Sequence, residues 1–182
     1  MTGFPITRAW AMPSLNTFSI PPVSKLLSRW IADSAVVVDP FARDSVRATY
    51  TNDLNMNTGA QYHMDAVEWL NELLVNNVRT DVLLLDPPYS PRQISECYKE
   101  AGRKVGMVDT QNTRLYKAIK DSGDKLMNIG GVVVCCGWNS SGMGKARGYE
   151  LKEILMVAHG GAHNDTIVTV ETKIKHIGCL LT

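Results

Sequence analysis

Long apolar runs are missing from this chain of 182 residues, 45% of them hydrophobic. Uninterrupted apolar stretches stop at five or six residues, as in Val132–Cys136, far short of the ~20 that cross a bilayer. An integral membrane protein is therefore not expected. Arg8 has no apolar run behind it, so no signal peptide or lipidation site is read at the N-terminus, and the cytoplasm is the default compartment. Net charge is nearly absent too: 19 basic against 18 acidic residues leave +1. No global positive field draws the protein to a polyanion, and any such partner must be met locally. Four cysteines, Cys97, Cys135, Cys136 and Cys179, include no C-x-x-C, and the adjacent pair sits in an apolar run as small buried hydrophobes. Neither zinc nor a disulfide framework follows. The four histidines lack metal-ligand spacing, because His159 and His163 straddle Gly160-Gly161 rather than a helix; no metal site is expected. Gly142-x-Gly144-Lys145 lacks the spacing of a phosphate-binding loop. No G-x-S-x-G surrounds Ser140, Ser141 or Thr110, which leaves hydrolase chemistry without support. Repeats and low-complexity tracts are absent, and the length suits one domain, 1–182.

What is present is an alternation of short apolar runs with longer amphipathic stretches, the pattern of an α/β protein with a largely parallel sheet. The first ~20 residues, rich in proline, read as an extended lead-in; then Val23, Leu26, Leu27 and Trp30 recur at helical spacing behind Pro22, a good helix opener. Strands are expected at Ala35–Asp39, Ala48–Asn52, around Gln61–Met64, at Asp81–Asp86 and at Gly130–Gly137. Asp65 opens a helix with Val67, Leu70 and Leu74 on one face. Two β-rich segments, near Tyr149–Ala158 and Thr166–Thr172, look like a terminal antiparallel hairpin. Between residues 91 and 128, eight Lys or Arg stand against five Asp or Glu. Such a run is commonly a solvated helical face.

Asp86-Pro87-Pro88-Tyr89 closes the clearest strand. Neither proline can donate to a ladder, so the chain must leave the sheet there, where open α/β sheets bind ligands. The turn presents a carboxylate, a preset carbonyl and an aromatic face together, a set suited to a planar ring bearing an exocyclic amine. Adenine N6 is a poor nucleophile because its lone pair is delocalised into the ring. Asp86 and the Pro87 carbonyl are placed to accept its two N–H bonds, with Tyr89 stacking on the base at a gain of roughly 1–3 kcal/mol.

These residues resemble the D-P-P-Y motif of the S-adenosylmethionine-dependent amino-methyltransferases, above all the DNA adenine-N6 methyltransferases. Val37-Val38-Asp39-Pro40-Phe41-Ala42 is similar to that family's first strand and D-P-F turn. Asp53 matches its ribose-binding acid, Asp65 resembles a third carboxylate beside the cofactor adenine, and Asn16-Thr17-Phe18-Ser19-Ile20 resembles the segment touching the methionine end. The resemblance implies a Rossmann-like, seven-stranded class I methyltransferase sheet, mostly parallel, with a C-terminal antiparallel hairpin. It implies S-adenosylmethionine as cofactor and methyl transfer to adenine N6 in DNA after base flipping. Asp86, Pro87, Pro88 and Tyr89 are then the catalytic set, and Asp39, Pro40, Phe41, Asp53, Asp65, Thr17 and Phe18 the cofactor set. Arg92, Trp138, Asn139, Lys145 and Arg147 are the candidates to touch the polymer.

Two departures stand out. Ala42-Arg43-Asp44-Ser45 replaces the family's glycines after D-P-F, and no residues are left for a separate target-recognition domain. Plain readings compete as well: Asp65 is a good N-cap and Phe41 a good core residue. The alternatives are the same chemistry on RNA, as in related rRNA enzymes, and a non-catalytic nucleic-acid-binding or partner-binding module on the same fold. Protein methylation is disfavoured by Asp rather than Asn before Pro-Pro-Tyr. A homodimer would double the small basic surface available to DNA, and the compact form looks like an orphan or bacteriophage-encoded enzyme.

Overall fold

Val82 and Leu84 pack against one layer of helix while Leu83 and Leu85 pack against another, which is why the run Val82–Leu85 is apolar at even and odd positions alike. A strand buried on both faces has no solvent side on which to place polar residues. The computed structural model describes residues 3–102, 112–161 and 163–177; the sequence features at Arg103, Lys104, Asp109, Thr110 and Cys179 lie outside them.

Seven strands make one sheet: β1 (Ile6–Trp10), β2 (Val37–Asp39), β3 (Tyr50–Thr51), β4 (Thr80–Leu85), β5 (Met127–Gly137), β6 (Tyr149–Ala158) and β7 (Thr166–Lys173), in the order β1-β6-β7-β5-β4-β2-β3. Strand β7 is antiparallel to β5 and β6, and every other pairing is parallel. Helix α1 (Pro21–Trp30) covers one face through Val23, Leu26 and Leu27. On the other lie α2 (Ala66–Val75), through Trp69, Leu70 and Leu73, and α4 (Asn112–Leu126), through Ile119 and Leu126. A Cβ at Gly123 would lie 2.6 Å from Leu83 Cδ2, so the missing side chain is what lets α4 lie this close to β4. Helix α3 (Pro91–Glu100) opens with Pro91 and a reciprocal cap between Ser90 and Gln93, two local signals that agree.

The mixed seven-stranded sheet and its terminal hairpin are as expected, but one strand comes from elsewhere. Gln61–Met64 contributes only the isolated parallel bridge Asn52↔Tyr62, because its side chains alternate no apolar face toward a core. The seventh strand is instead β1, cut from the lead-in and paired in parallel with β6, Ile6 opposite Ile154. Cys135 and Cys136 are buried free thiols pointing to opposite faces, as read from the sequence. Among the described residues no helix is long and apolar enough to cross a membrane.

Candidate functional site

Strand β2 has β3 on one side and β4 on the other, so the chain changes direction across the sheet between its second and fourth strands. A crevice opens at such a switch point, outside the carboxyl ends of the strands. Three carboxylates stand there: Asp39 ends β2, Asp53 follows β3 by two residues, and Asp86 follows β4 directly. Asp53 and Asp86 line a cleft of 590 Å³, within the range of small-molecule sites, whereas Asp39 does not border it.

Asp39, read from the sequence as a cofactor residue, is instead a core group just ahead of the cleft-lining Pro40 and Phe41. It is fully buried; Oδ1 accepts the Phe41 amide at 3.0 Å, while Oδ2 has no partner. Burial pushes its pKa up to about 8, against the Phe41 bond and helped by the charges of Asp86 and Asp53. Burial thus favours the protonated form near neutral pH. Asn52 locks the neighbouring turns: its Nδ2 donates to the carbonyls of Pro40 and Met64, and its Oδ1 accepts the Met64 amide at 2.9 Å. Pro40 and Phe41 are thereby fixed on the cleft wall.

Asp53 accepts the Arg43 amide on Oδ2 at 3.0 Å and the Asn55 amide on Oδ1 at 2.9 Å. Each oxygen keeps a lone pair for a ligand. The Arg43 backbone has φ +50°, in the left-handed region where the resembled family places glycine. The turn thus keeps its path and stores strain. Asp65 caps α2 by accepting the Val67 and Glu68 amides, and its Oδ2 accepts the Tyr98 hydroxyl at 2.6 Å. The capping reading holds for this residue, which also borders the cleft.

At the mouth Asp86 is half-buried. Burial pushes its pKa up, opposed by hydrogen bonds from Thr17 and Tyr89 and by the Arg43 charge. Tyr89 donates its hydroxyl to Asp86 Oδ1, and burial together with that carboxylate drives the phenol pKa far up, so Tyr89 remains a donor. Gln93 Oε1 accepts the Tyr89 and Ser90 amides, and the Pro88 carbonyl accepts the Tyr116 hydroxyl at 3.3 Å, which ties the loop to α3 and α4. Because Leu85 pairs with Cys135, the chain leaving β5 runs beside the loop leaving β4. This register brings Trp138 to Tyr89, ring centroids 5.7 Å apart at 50°.

The other candidates scatter. Thr17 borders the cleft, whereas Phe18 is core at 2% exposure. Arg92 is exposed and paired with Glu96 at 2.7 Å. Arg147 is turned away to Asp121 and the Met143 carbonyl, and neither Asn139 nor Lys145 borders the cleft. The face that α3 turns to the cleft is not basic: it carries Gln93, Glu96, Cys97 and Glu100. Sequence reasoning missed these and also Arg43, whose only outward sign was standing where glycine was expected. His159 is a satisfied buried histidine between the Ala11 carbonyl and the Thr166 hydroxyl. Among the described residues no cluster of His, Cys, Asp or Glu could hold a metal ion.

No protein-family model matches the chain, and no curated protein matches it. Solved structures do. SMU.776, described as a methyltransferase and solved with SAH, aligns with a TM-score of 0.56 at 14% identity over 83% of this chain and 48% of its own. TrmN from Thermus thermophilus aligns at 0.53 and 19% identity over 85% and 49%. NSun6 from Pyrococcus horikoshii, solved with SFG, aligns at 0.52 and 14% over 78% and 48%. The chain thus spans about half the length of each of these structures. The fold is the Rossmann-like fold of class I methyltransferases.

Proposed function

We propose that the protein is an S-adenosylmethionine-dependent methyltransferase acting on the exocyclic amine of a nucleic-acid base, with adenine N6 as the target atom. The observation that carries this reading is the mouth of the cleft. A carboxylate at the end of β4 stands beside a Tyr89–Trp138 aromatic wall, one site for an amine and one for the ring that bears it.

The cleft also fits the cofactor. Asp53 keeps lone pairs for a ribose. The carboxyl groups of Asp53, Asp65, Asp86, Glu96 and Glu100 on the cleft wall suit a ligand with positive charge on sulfur and nitrogen. Bound there, S-adenosylmethionine supplies a methyl group activated on a sulfonium. This chain then has to hold and orient the amine. The Asp86 carboxylate and the Pro87 carbonyl accept its two N–H bonds, turning the nitrogen lone pair out of ring conjugation, while Tyr89 and Trp138 grip the base. Positioning of this kind supplies much of a rate enhancement. A base stacked in a duplex cannot reach the loop, so a duplex substrate must flip it out.

The polymer is the finer question. The DNA assignment rests on the Asp86–Tyr89 motif; none of the three aligned proteins is described as acting on DNA, and the same loop holds the amine of an RNA base equally well. RNA therefore stands at least level with DNA. The test is to incubate the protein with labelled S-adenosylmethionine and duplex DNA, single-stranded DNA or total RNA, then to digest and identify the labelled nucleoside. Label on N6 of adenine, lost in Asp86→Ala, supports the reading and names the polymer. No label anywhere and no cofactor binding by calorimetry would leave a non-catalytic module on a methyltransferase fold.

A further inference from the structure

Among the described residues that line the cleft, Arg43 brings the only guanidinium or ammonium group, against five carboxyl groups. No salt bridge among the described residues claims it. Its backbone is held at φ +50°, which an L-residue adopts at a cost that glycine avoids. A strained non-glycine residue persists where its surroundings enforce it, and such positions cluster at ligand clamps. Here the enforcement is visible, because the Arg43 amide is bonded to Asp53 Oδ2 at 3.0 Å. The side chain so placed lines the same cleft as Asp86. Arg43 is thus tied through its amide to the acid proposed for the ribose and shares the cleft with the acid proposed for the amine.

We propose that Arg43 binds the α-carboxylate of the cofactor's amino-acid tail and selects for carboxylated over decarboxylated ligands. The inference rests on the cofactor reading above. The charge pattern suits it: the cofactor has two cationic centres for the carboxyl groups and a single anionic one, and Arg43 is the matching cation. A guanidinium meets a carboxylate through two parallel N–H bonds, a geometry that lysine does not reproduce. The nearby charge is also felt by Asp86, whose carboxylate it helps keep ionised.

The test is calorimetry on the whole chain with S-adenosylhomocysteine and with its analogue lacking the carboxylate. The wild type should bind the carboxylated ligand at least about tenfold tighter. In Arg43→Gln and Arg43→Gly this preference should fall to within about twofold, through loss of affinity for the carboxylated ligand alone, with Arg43→Lys between. Arg43→Gly should melt no lower than the wild type, since glycine accepts the positive φ, so weakened binding cannot be blamed on unfolding. A preference that survives in Arg43→Gln overturns the inference while leaving the cofactor reading intact. Failure of the wild type to bind either ligand overturns both.

Discussion

Tyr89 donates its hydroxyl to the carboxylate of Asp86, three residues earlier in the same turn. The ring proposed to stack a base and the acid proposed to hold its amine are thus bonded to each other, and an arriving amine competes with the phenol for that oxygen. Tyr89→Phe removes the competitor and keeps the ring. It also removes a donor that holds the Asp86 pKa down. The acid must be ionised to accept the amine, so losing the donor should move the acidic limb of the kcat–pH profile to higher pH. A profile of the Phe variant superimposable on the wild type would show that the bond has no influence on the reacting form.

Asp86→Ala should lower kcat by 10²-fold or more, the scale on which a positioned acid–base group contributes. Cofactor affinity should change by less than about threefold, because the ribose and tail are assigned to Asp53 and Arg43. Single-turnover methyl transfer and calorimetry on the same preparation separate the two. Equal loss of both would mark Asp86 as a structural residue.

Asp39 should make stability depend on pH. Its pKa lies near 3.8 in the unfolded chain and is raised to about 8 by burial in the folded one. Between these values the unfolded state gives up the proton and the folded state keeps it. The stability present below pH ~4 is lost as the pH rises through 8, at about 1.4 kcal/mol per pH unit. Asp39→Asn carries no such proton and should flatten that slope, which urea unfolding at pH 5.5 and pH 8 would reveal. An unchanged slope would assign the pH dependence to another group.

Trp138→Ala removes half of the aromatic wall and should raise the KM for the nucleic acid by the equivalent of about 1–3 kcal/mol of stacking. The KM for S-adenosylmethionine should stay put. A shift in the cofactor KM instead would place Trp138 on the other side of the reaction.

The strands that carry Asp39 and Asp86 were legible because parallel strands buried on both faces announce themselves as apolar runs, whereas Asp53 follows the short edge strand Tyr50–Thr51 and was found through its place in the motif order. Other parts were not. Arg147 reads as a free cation on the page of the sequence, but its partner Asp121 is 26 residues away on α4. The cleft-facing side of α3 depends on how the Tyr89 turn is tied to Gln93, and no periodicity encodes that docking. Arg43 shows as a departure from a pattern without showing what the backbone does there. The pairing partner of β1 is almost the length of the chain away, and nothing local in Ile6–Trp10 points to it.

That pairing bears on the order in which the molecule can be completed during synthesis. Strand β1 leaves the ribosome long before β6, with whose residues Ile154–Ala158 it pairs. Until then it has no strand to join, and the segment just behind it, which brings the Thr17 hydroxyl to Asp86, has no anchor on that side. Long-range pairing of this kind also slows folding. A ribosome-bound chain halted before Tyr149 would hold the central strands β2, β4 and β5 but lack the finished cleft, so ligand binding would arise only after β6 has emerged.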